Sequence, residues 1–132
     1  MIPELAYPDV RSAVDWLVEV LGFVERVRIG PDHRAQLAFG EGGSLIVADT
    51  THGRTAPTGG EQAQSVMLRV DDVASVCERV RTNGGAVVQE PKDFPYGERQ
   101  CTFIDPWGHR WTLTQTLRDV APEEWGGIAL QP

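Results

Sequence analysis

Apolar side chains recur at helical spacing in two segments of the chain, 9–22 and 72–85. In both segments they occupy positions i, i+3, i+4 and i+7, which is the pattern of an amphipathic helix with one buried stripe. Each segment opens with an aspartate that can cap a helix N-terminus and closes with a glycine that can follow its C-terminus. The matching apolar positions are Val10, Ala13, Val14 and Leu17 in the first segment and Val73, Val76, Cys77 and Val80 in the second.

Short stretches of strand composition surround each predicted helix in the same order. One precedes each helix, at 3–7 and 65–70, and three follow it, at 23–29, 34–39 and 44–48 in the first half and at 86–89, 100–104 and 110–115 in the second. Asp105-Pro106-Trp107-Gly108 has the residues of a type I turn, and 40–43 fills the same place in the first half. The chain is therefore predicted to repeat a βαβββ module.

The two modules are assigned to 1–50 and 64–118 of one domain, because a module of about 50 residues would be marginal alone. The Gly-, Thr- and Pro-rich stretch 51–63 is a linker between them. The tail, 119–132, is expected either to form a short helix near Pro122 or to pack on the body.

Composition excludes several classes of protein. With 12 Lys and Arg against 19 Asp and Glu, the net charge of −7 disfavours a nucleic-acid partner. No apolar run has the length of a membrane span, and no signal segment is recognisable, so we expect a cytoplasmic protein. Two cysteines make no disulfide framework, and Cys77 and Cys101 are predicted to be buried.

Several motifs of the chain together resemble the vicinal oxygen chelate superfamily, in its branch of glyoxalase and bleomycin resistance proteins. The most specific is Asp105-Pro106-Trp107-Gly108-His109-Arg110-Trp111, and the others lie at 9–23, 70–73, 84–86 and 96–99. The resemblance implies an α+β fold whose two βαβββ modules form a curved mixed sheet, as open half-barrels around one pocket. It also implies a homodimer, which a 14.5 kDa species in light scattering would refute.

Metal-dependent members of that superfamily hold an ion with four strand residues, typically His and Glu. By the resemblance these positions fall at Ile2, at Val47 (or Leu45 if the register slips by two), at Ser65 and at Thr112. None of these side chains offers the imidazole or carboxylate that such an ion requires. The three histidines form no helical i, i+4 pair, and we expect neither a metal nor another cofactor.

Alternation along the strands predicts which residues line the pocket. Aromatic residues near strand ends could stack on a ligand or could be core, and Trp125 could close the pocket mouth or pack on the surface. The predicted ligand-binding residues are Phe39, Leu45, Val47, Ser65, Met67, Arg69, Phe94, Tyr96, Trp107, Arg110 and Thr112.

Two functions remain open at this point. The first is metal-independent sequestration of a small organic molecule, drug-like or an aromatic secondary metabolite, as the resemblance to bleomycin resistance proteins implies. The second is a glyoxalase-like lyase, isomerase or dioxygenase with a relocated metal or acid/base residues. Glu4 is a weak candidate for the base, and it could instead pair with Arg69 or Arg110.

Overall fold

A computed structural model describes residues 1–57 and 63–131 of the chain. The predicted linker, 51–63, therefore lies partly outside the described residues. The first half contains β1 (Glu4–Ala6), α1 (Val10–Trp16), a π-helical segment (Leu17–Leu21), β2 (Val24–Ile29), β3 (Arg34–Phe39) and β4 (Gly43–Ala48). The second contains β5 (Ser65–Arg69), α2 (Val73–Thr82), β6 (Ala86–Asp93), β7 (Glu98–Ile104), β8 (Arg110–Thr116) and a 3-10 turn (Pro122–Trp125).

The strands form two four-stranded mixed sheets with the same topology, β1-β4-β3-β2 and β5-β8-β7-β6. In each sheet the strand before the helix pairs in parallel with the last strand of its module, and the other pairs are antiparallel. The predicted α+β class with two βαβββ modules is confirmed.

Each sheet with its helix belongs to a compact unit. The first unit comprises Met1–Gln62 and Trp107–His109, and the second comprises Ala63–Pro106 and Arg110–Pro132. Among the described residues, no helix is both long enough and apolar enough to cross a membrane.

The two helices begin in the same way. The Asp9 side chain accepts a hydrogen bond from the Ser12 backbone N–H at 3.0 Å, and Asp72 accepts one from Ser75 at 3.1 Å. These bonds satisfy backbone donors that a helix N-terminus leaves unpaired, and they confirm the predicted N-caps. The first helix differs beyond Trp16, where the chain widens into the π-helical segment and ends at Gly22, whose φ is +88°.

The core of the second unit lies between α2 and one face of its sheet. Trp111, Leu113 and Phe103 have no exposed surface, and the rings of Phe103 and Trp111 are stacked as a cross-strand pair. The Trp111 indole donates to Asp105 Oδ2 at 3.0 Å, so the buried carboxylate of the turn is paired.

An aromatic cluster forms part of the first unit. The ring of Trp107 makes edge contacts with Tyr7 and Trp16, at centroid distances of 5.6 and 6.3 Å. His109 Nε2 donates to the carbonyl of Ala6 at 2.7 Å, and its ring lies 4.5 Å from Tyr7. Trp16, which the helical stripe did not include, is therefore a core residue.

The predicted orientation of β4 is wrong. Leu45 and Val47 are 2% and 0% exposed, and they pair with the equally buried Leu37 and Ala35 of β3. Cross-strand partners share a face, so these four side chains form the buried layer beneath α1. Ile46 occupies the opposite face, beside its partner Glu4 of β1.

Candidate ligand-binding site

The second sheet has one face covered by α2 and one face lined with polar side chains. Gln115 accepts from the backbone N–H of Val73, and Cys101 contacts Cys77, so these residues mark the helix side. The other face, called here the polar face, carries alternate residues of three strands. They are Ser65, Met67 and Arg69 of β5, Arg110, Thr112, Thr114 and Thr116 of β8, and Glu98, Gln100 and Thr102 of β7.

The predicted residues of β5 and β8 all lie on the polar face. Ser65, Met67, Arg69 and Arg110 are exposed and Thr112 is half-buried. Their neighbours on the helix side, Trp111 and Leu113 above all, are buried. Whether these residues bind a ligand stays a prediction.

A chain of hydrogen bonds crosses the polar face in a single direction. The Tyr96 hydroxyl donates to Gln100 Oε1 at 2.8 Å, and Gln100 Nε2 donates to Thr114 Oγ1 at 3.1 Å. The Thr114 hydroxyl donates in turn to Glu98 Oε1 at 2.6 Å. Because Thr114 is only 1% exposed, its hydroxyl depends on these two partners.

The chain of hydrogen bonds ends at an ion pair. Arg69 Nη1 donates to Glu98 Oε1 at 2.6 Å and also contacts the Thr116 hydroxyl. Burial alone would raise the pKa of Glu98, but hydrogen bonds from Thr114, Thr116 and Arg69 outweigh it and lower the pKa. Glu98 is therefore a carboxylate at neutral pH. An ionised carboxylate has about four acceptor sites, so Glu98 can accept a further hydrogen bond from a ligand.

A column of aromatic rings adjoins this hydrogen-bond chain. Phe94 and Tyr96 are stacked with an interplanar angle of 13° and centroids 5.3 Å apart. The indole of Trp125 lies 5.4 Å from Tyr96 at 59°, and it is 44% exposed. Lys92 Nζ lies 5.3 Å from the Phe94 centroid, in cation–π contact. We call Phe94, Tyr96 and Trp125 the aromatic column.

The turn between β6 and β7 fixes this column to the C-terminal tail. Phe94 N–H donates to the Glu98 carbonyl, and Gly97 N–H donates to the Phe94 carbonyl, which closes the turn. The carbonyl of Gly97 then accepts from the backbone N–H groups of Leu117 and Arg118. The tail is held at this point and returns Trp125 to Tyr96 through the 3-10 turn that begins at the predicted Pro122.

Charged side chains cluster in the first unit. Glu4 Oε1 lies 3.7 Å from Arg34 and 3.6 Å from Arg54, so its partners here are these two arginines rather than the predicted Arg69 or Arg110. Arg54 also donates to Asp49 Oδ1 at 3.0 Å, and His33 Nδ1 lies 2.7 Å from Asp49 Oδ2. Hydrogen bonds from Thr51, then from His33, hold the pKa of Asp49 well below its usual range.

Two of the predicted aromatic residues are half-buried and pack against other protein side chains. Phe39 shares the face of Leu37 and lies 5.0 Å from the buried ring of Phe23. Trp107 belongs to the cluster with Tyr7 and Trp16. Leu45 and Val47 are core residues too, so the buried apolar wall predicted from β4 belongs to the interior of the first unit.

A cleft of about 270 Å³ lies elsewhere in the first unit, beside α1 and β2. Val14, Val18 and Phe23 give it an apolar floor, and Glu25 stands at its edge. It contains none of the predicted ligand-binding residues.

The metal positions implied by the resemblance do not fit a metal. Ile2, Val47 (or Leu45), Ser65 and Thr112 offer no imidazole or carboxylate. In residues 1–57 and 63–131, no three His, Cys, Asp or Glu side chains are grouped closely enough to hold an ion.

The Glyoxalase/Bleomycin resistance protein/Dioxygenase superfamily model matches residues 3–113. The chain belongs to this superfamily. Among solved structures of similar fold, TioX from a Micromonospora species is 38% identical, with a TM-score of 0.71 over 89% of this chain and 98% of its own. TnmS3, an antibiotic binding protein from a Streptomyces species, is 32% identical, with a TM-score of 0.68 over 87% and 93%.

A curated relative of the same superfamily is named as an enzyme. A probable lactoylglutathione lyase from a Synechocystis species is 30% identical over 115 residues, covering 82% of this chain and 88% of its own length. The chains that this one resembles thus include one named as an antibiotic binding protein and one named as a probable lyase.

Sequence reasoning missed Glu98 and Gln100. The strand was predicted to begin at Gln100, whereas β7 begins at Glu98. On β8 every second residue is polar and lies on the polar face, and Glu98, Gln100 and Thr102 repeat this alternation on β7. That alternation was the signal that could have identified them. The contact of Trp125 with Tyr96 left no periodic signal, because the tail is irregular up to Pro122.

Proposed function

We propose that this protein binds and sequesters a planar organic molecule on the polar face of its second sheet, without a metal. The observation that carries the proposal is the adjacency of the aromatic column to a row of satisfied hydrogen-bonding groups. Rings supply a flat contact area, and a few fixed polar groups supply orientation, which is the composition of small-molecule sites. The likeness to TnmS3, an antibiotic binding protein, supports the same function.

The geometry also favours a class of ligand. The rings of Trp125 and Tyr96 are inclined at 59° to each other, so a flat ligand cannot lie parallel to both. It can stack on the free face of one ring, or the exposed indole of Trp125 can rotate to meet it. The Glu98 carboxylate can accept a further hydrogen bond, so the ligand should carry an N–H or O–H group at its edge. An ammonium or amidinium group would bind best there, because the acceptor is charged.

The proposal is tested with acridine orange, a planar cation, titrated into the full chain and followed by fluorescence. Tyr96→Ala removes the central ring of the column, and we expect its dissociation constant to rise about tenfold, which corresponds to ~1.4 kcal/mol. Tyr96→Phe is the matched control, because it keeps the ring and removes only the hydroxyl. Equal affinity of wild type and Tyr96→Ala, at unchanged melting temperature, would refute the site.

Independence from metal needs its own measurement. The purified chain is assayed for transition metals by elemental mass spectrometry, and the titration is repeated after dialysis against a chelator. We expect less than stoichiometric metal and an unchanged dissociation constant. A stoichiometric transition metal, or binding that disappears on chelation, contradicts sequestration without metal.

A second candidate function is acid/base catalysis in the first unit. The observation that favours it is the His33–Asp49 pair: Nδ1–H donates to a carboxylate whose other oxygen Arg54 holds, which leaves Nε2 as the basic nitrogen. This places a base near Glu4 and its arginines. Recovery of the bound molecule unchanged after prolonged incubation supports sequestration, whereas conversion that His33→Gln abolishes supports the enzyme.

A further inference from the structure

The two cysteines of the chain meet in the core of the second unit. Cys77 lies on α2 and Cys101 on β7, and their sulfur atoms are 3.1 Å apart. Both are free thiols, with side chains 2% and 0% exposed. A disulfide bond has a sulfur–sulfur length of about 2.05 Å, so these two atoms need to approach by only about 1 Å.

We propose that Cys77 and Cys101 are an oxidation site at which hydrogen peroxide closes a reversible disulfide between α2 and β7. The two cysteines are 24 positions apart in sequence. Neither thiol takes part in the proposed ligand site.

The surroundings distinguish the two sulfur atoms. Arg81 Nη2 lies 3.9 Å from Cys77 Sγ, so a cationic donor contacts this sulfur. Glu90 holds the guanidinium through both carboxylate oxygens, at 2.9 and 2.7 Å. Burial, and then the neighbouring Cys77, raise the pKa of Cys101. Cys77, whose sulfur contacts the guanidinium, is the one that reacts first in the proposed reaction.

The reaction has two steps. The Cys77 thiolate attacks one oxygen of the peroxide, the O–O bond breaks, and a sulfenic acid and hydroxide form. The Cys101 sulfur then attacks the Cys77 sulfur, forming the S–S bond and breaking S–O. The departing hydroxide takes the Cys101 proton and leaves as water. In total two thiols lose two protons and two electrons, which equal two hydrogen atoms, and one peroxide becomes two waters.

The disulfide would also constrain the polar face. Cys101 lies between Gln100 and Thr102, whose side chains point to that face, so a bond to α2 fixes the middle of β7 beneath them. This consequence rests on the proposed function. The chemical test does not, because it measures mass, thiol content and stability without a ligand.

The experiment treats the reduced full chain with excess hydrogen peroxide and follows it by intact-mass spectrometry and thermal unfolding. We expect slow loss of two hydrogen atoms, disappearance of both thiols in denaturant, and a melting temperature about 5–10 °C higher. Dithiothreitol should reverse all three changes. Cross-linked dimers, stable addition of oxygen atoms to wild type, or no reaction would overturn the proposal.

Single-cysteine variants provide the matched control. Cys77→Ser and Cys101→Ser cannot lose two hydrogen atoms within one chain, and peroxide should not raise their melting temperatures. If either variant fails to fold, the mass, thiol content and melting temperature of reduced and oxidised wild type still test the disulfide. A rise in melting temperature without the mass change would count against the disulfide.

Discussion

Thr114 is the residue on which the hydrogen-bond chain of the polar face depends. Its hydroxyl accepts from Gln100 and donates to Glu98, and it has almost no access to water. Thr114→Val keeps the shape and removes both bonds, which leaves the half-buried Gln100 amide without this acceptor and the Glu98 carboxylate with one donor fewer. We expect the free energy of unfolding, measured in urea, to fall by about 1–3 kcal/mol.

Thr112 provides the control for this prediction. It is the half-buried neighbour of Thr114 on the same face, and the hydroxyl contact recorded for it, to Thr102, is long at 3.4 Å. Thr112→Val should cost at most about 0.5 kcal/mol, the range of an ordinary surface change. Equal losses of unfolding free energy for the two variants would show that the hydrogen bonds of Thr114 do not stabilise the fold.

Asp49 should make the free energy of unfolding depend on pH in the acidic range. Its pKa is lowered in the folded state by hydrogen bonds from Thr51 and His33. A carboxyl group with a lowered pKa stabilises the fold fully above its unfolded pKa of about 3.9, and this stabilisation is lost as the pH falls further. Asp49→Asn should therefore be less stable than wild type at pH 7, and the difference should shrink between about pH 5 and pH 2.

The measurement is denaturant unfolding of both proteins across that pH range. Asp71→Asn is the control, because Asp71 is exposed and has no recorded hydrogen bond in the described part of the chain. Asp71→Asn should change the free energy of unfolding at pH 7 by at most about 0.5 kcal/mol, the range of an ordinary surface change. A constant difference between Asp49→Asn and wild type would contradict the assigned pKa shift.

At the scale of elements, Gly97 holds the β6–β7 turn against the tail. Its φ is +84°, and an added Cβ atom would lie 2.2 Å from the carbonyl oxygen of Arg118. Gly97→Ala must therefore strain the backbone and push the tail away. We expect a loss of about 2–3 kcal/mol in unfolding free energy and weaker acridine orange binding, since Trp125 is displaced from Tyr96.

Gly42 allows the two effects to be separated. Its φ is +91°, but no atom lies within 4 Å of an added Cβ, so Gly42→Ala has only the backbone cost of about 1 kcal/mol. Its affinity for acridine orange should not change. Similar affinities in the two glycine variants would mean that the tail does not form the site.

The elements themselves were predictable because local signals agreed. Asp9 and Asp72 supplied N-caps at both repeats, and the alternation Arg110-Trp111-Thr112-Leu113 assigned the faces of β8 correctly. Strand β4 failed for a physical reason: Leu45, Ile46, Val47 and Ala48 are all apolar, so a period of two cannot distinguish its faces. On this strand the pairing with β1 and β3 determines which side chains are buried, and that pairing cannot be read from the sequence.

Contacts between distant segments were beyond such reasoning. Trp125 reaches Tyr96 only because the tail is anchored at Gly97, and Cys77 meets Cys101 only because α2 crosses β7 at that point. The sequence indicated that both cysteines are buried, which the structure confirms. Their proximity required the packing of a helix on a sheet.

At the scale of the whole molecule, the net charge of −7 should select among flat ligands. An acidic surface raises the local concentration of cations and speeds their association, and salt screens this effect. The screening length shortens from ~30 Å at 10 mM to ~8 Å at 150 mM ionic strength. We expect the association rate of acridine orange to fall several-fold over this range, and that of the planar anion anthraquinone-2-sulfonate to rise.

A variant of Glu98 can separate the long-range electrostatic field of the protein from direct contact between Glu98 and the ligand. Glu98→Gln changes the net charge by only one, so the salt dependence of association should stay close to that of wild type. Its dissociation rate for acridine orange should rise, because the charged acceptor at the end of the hydrogen-bond chain is gone. If the substitution instead removed the salt dependence and left dissociation unchanged, Glu98 would act only through the field, and the ligand would not touch it.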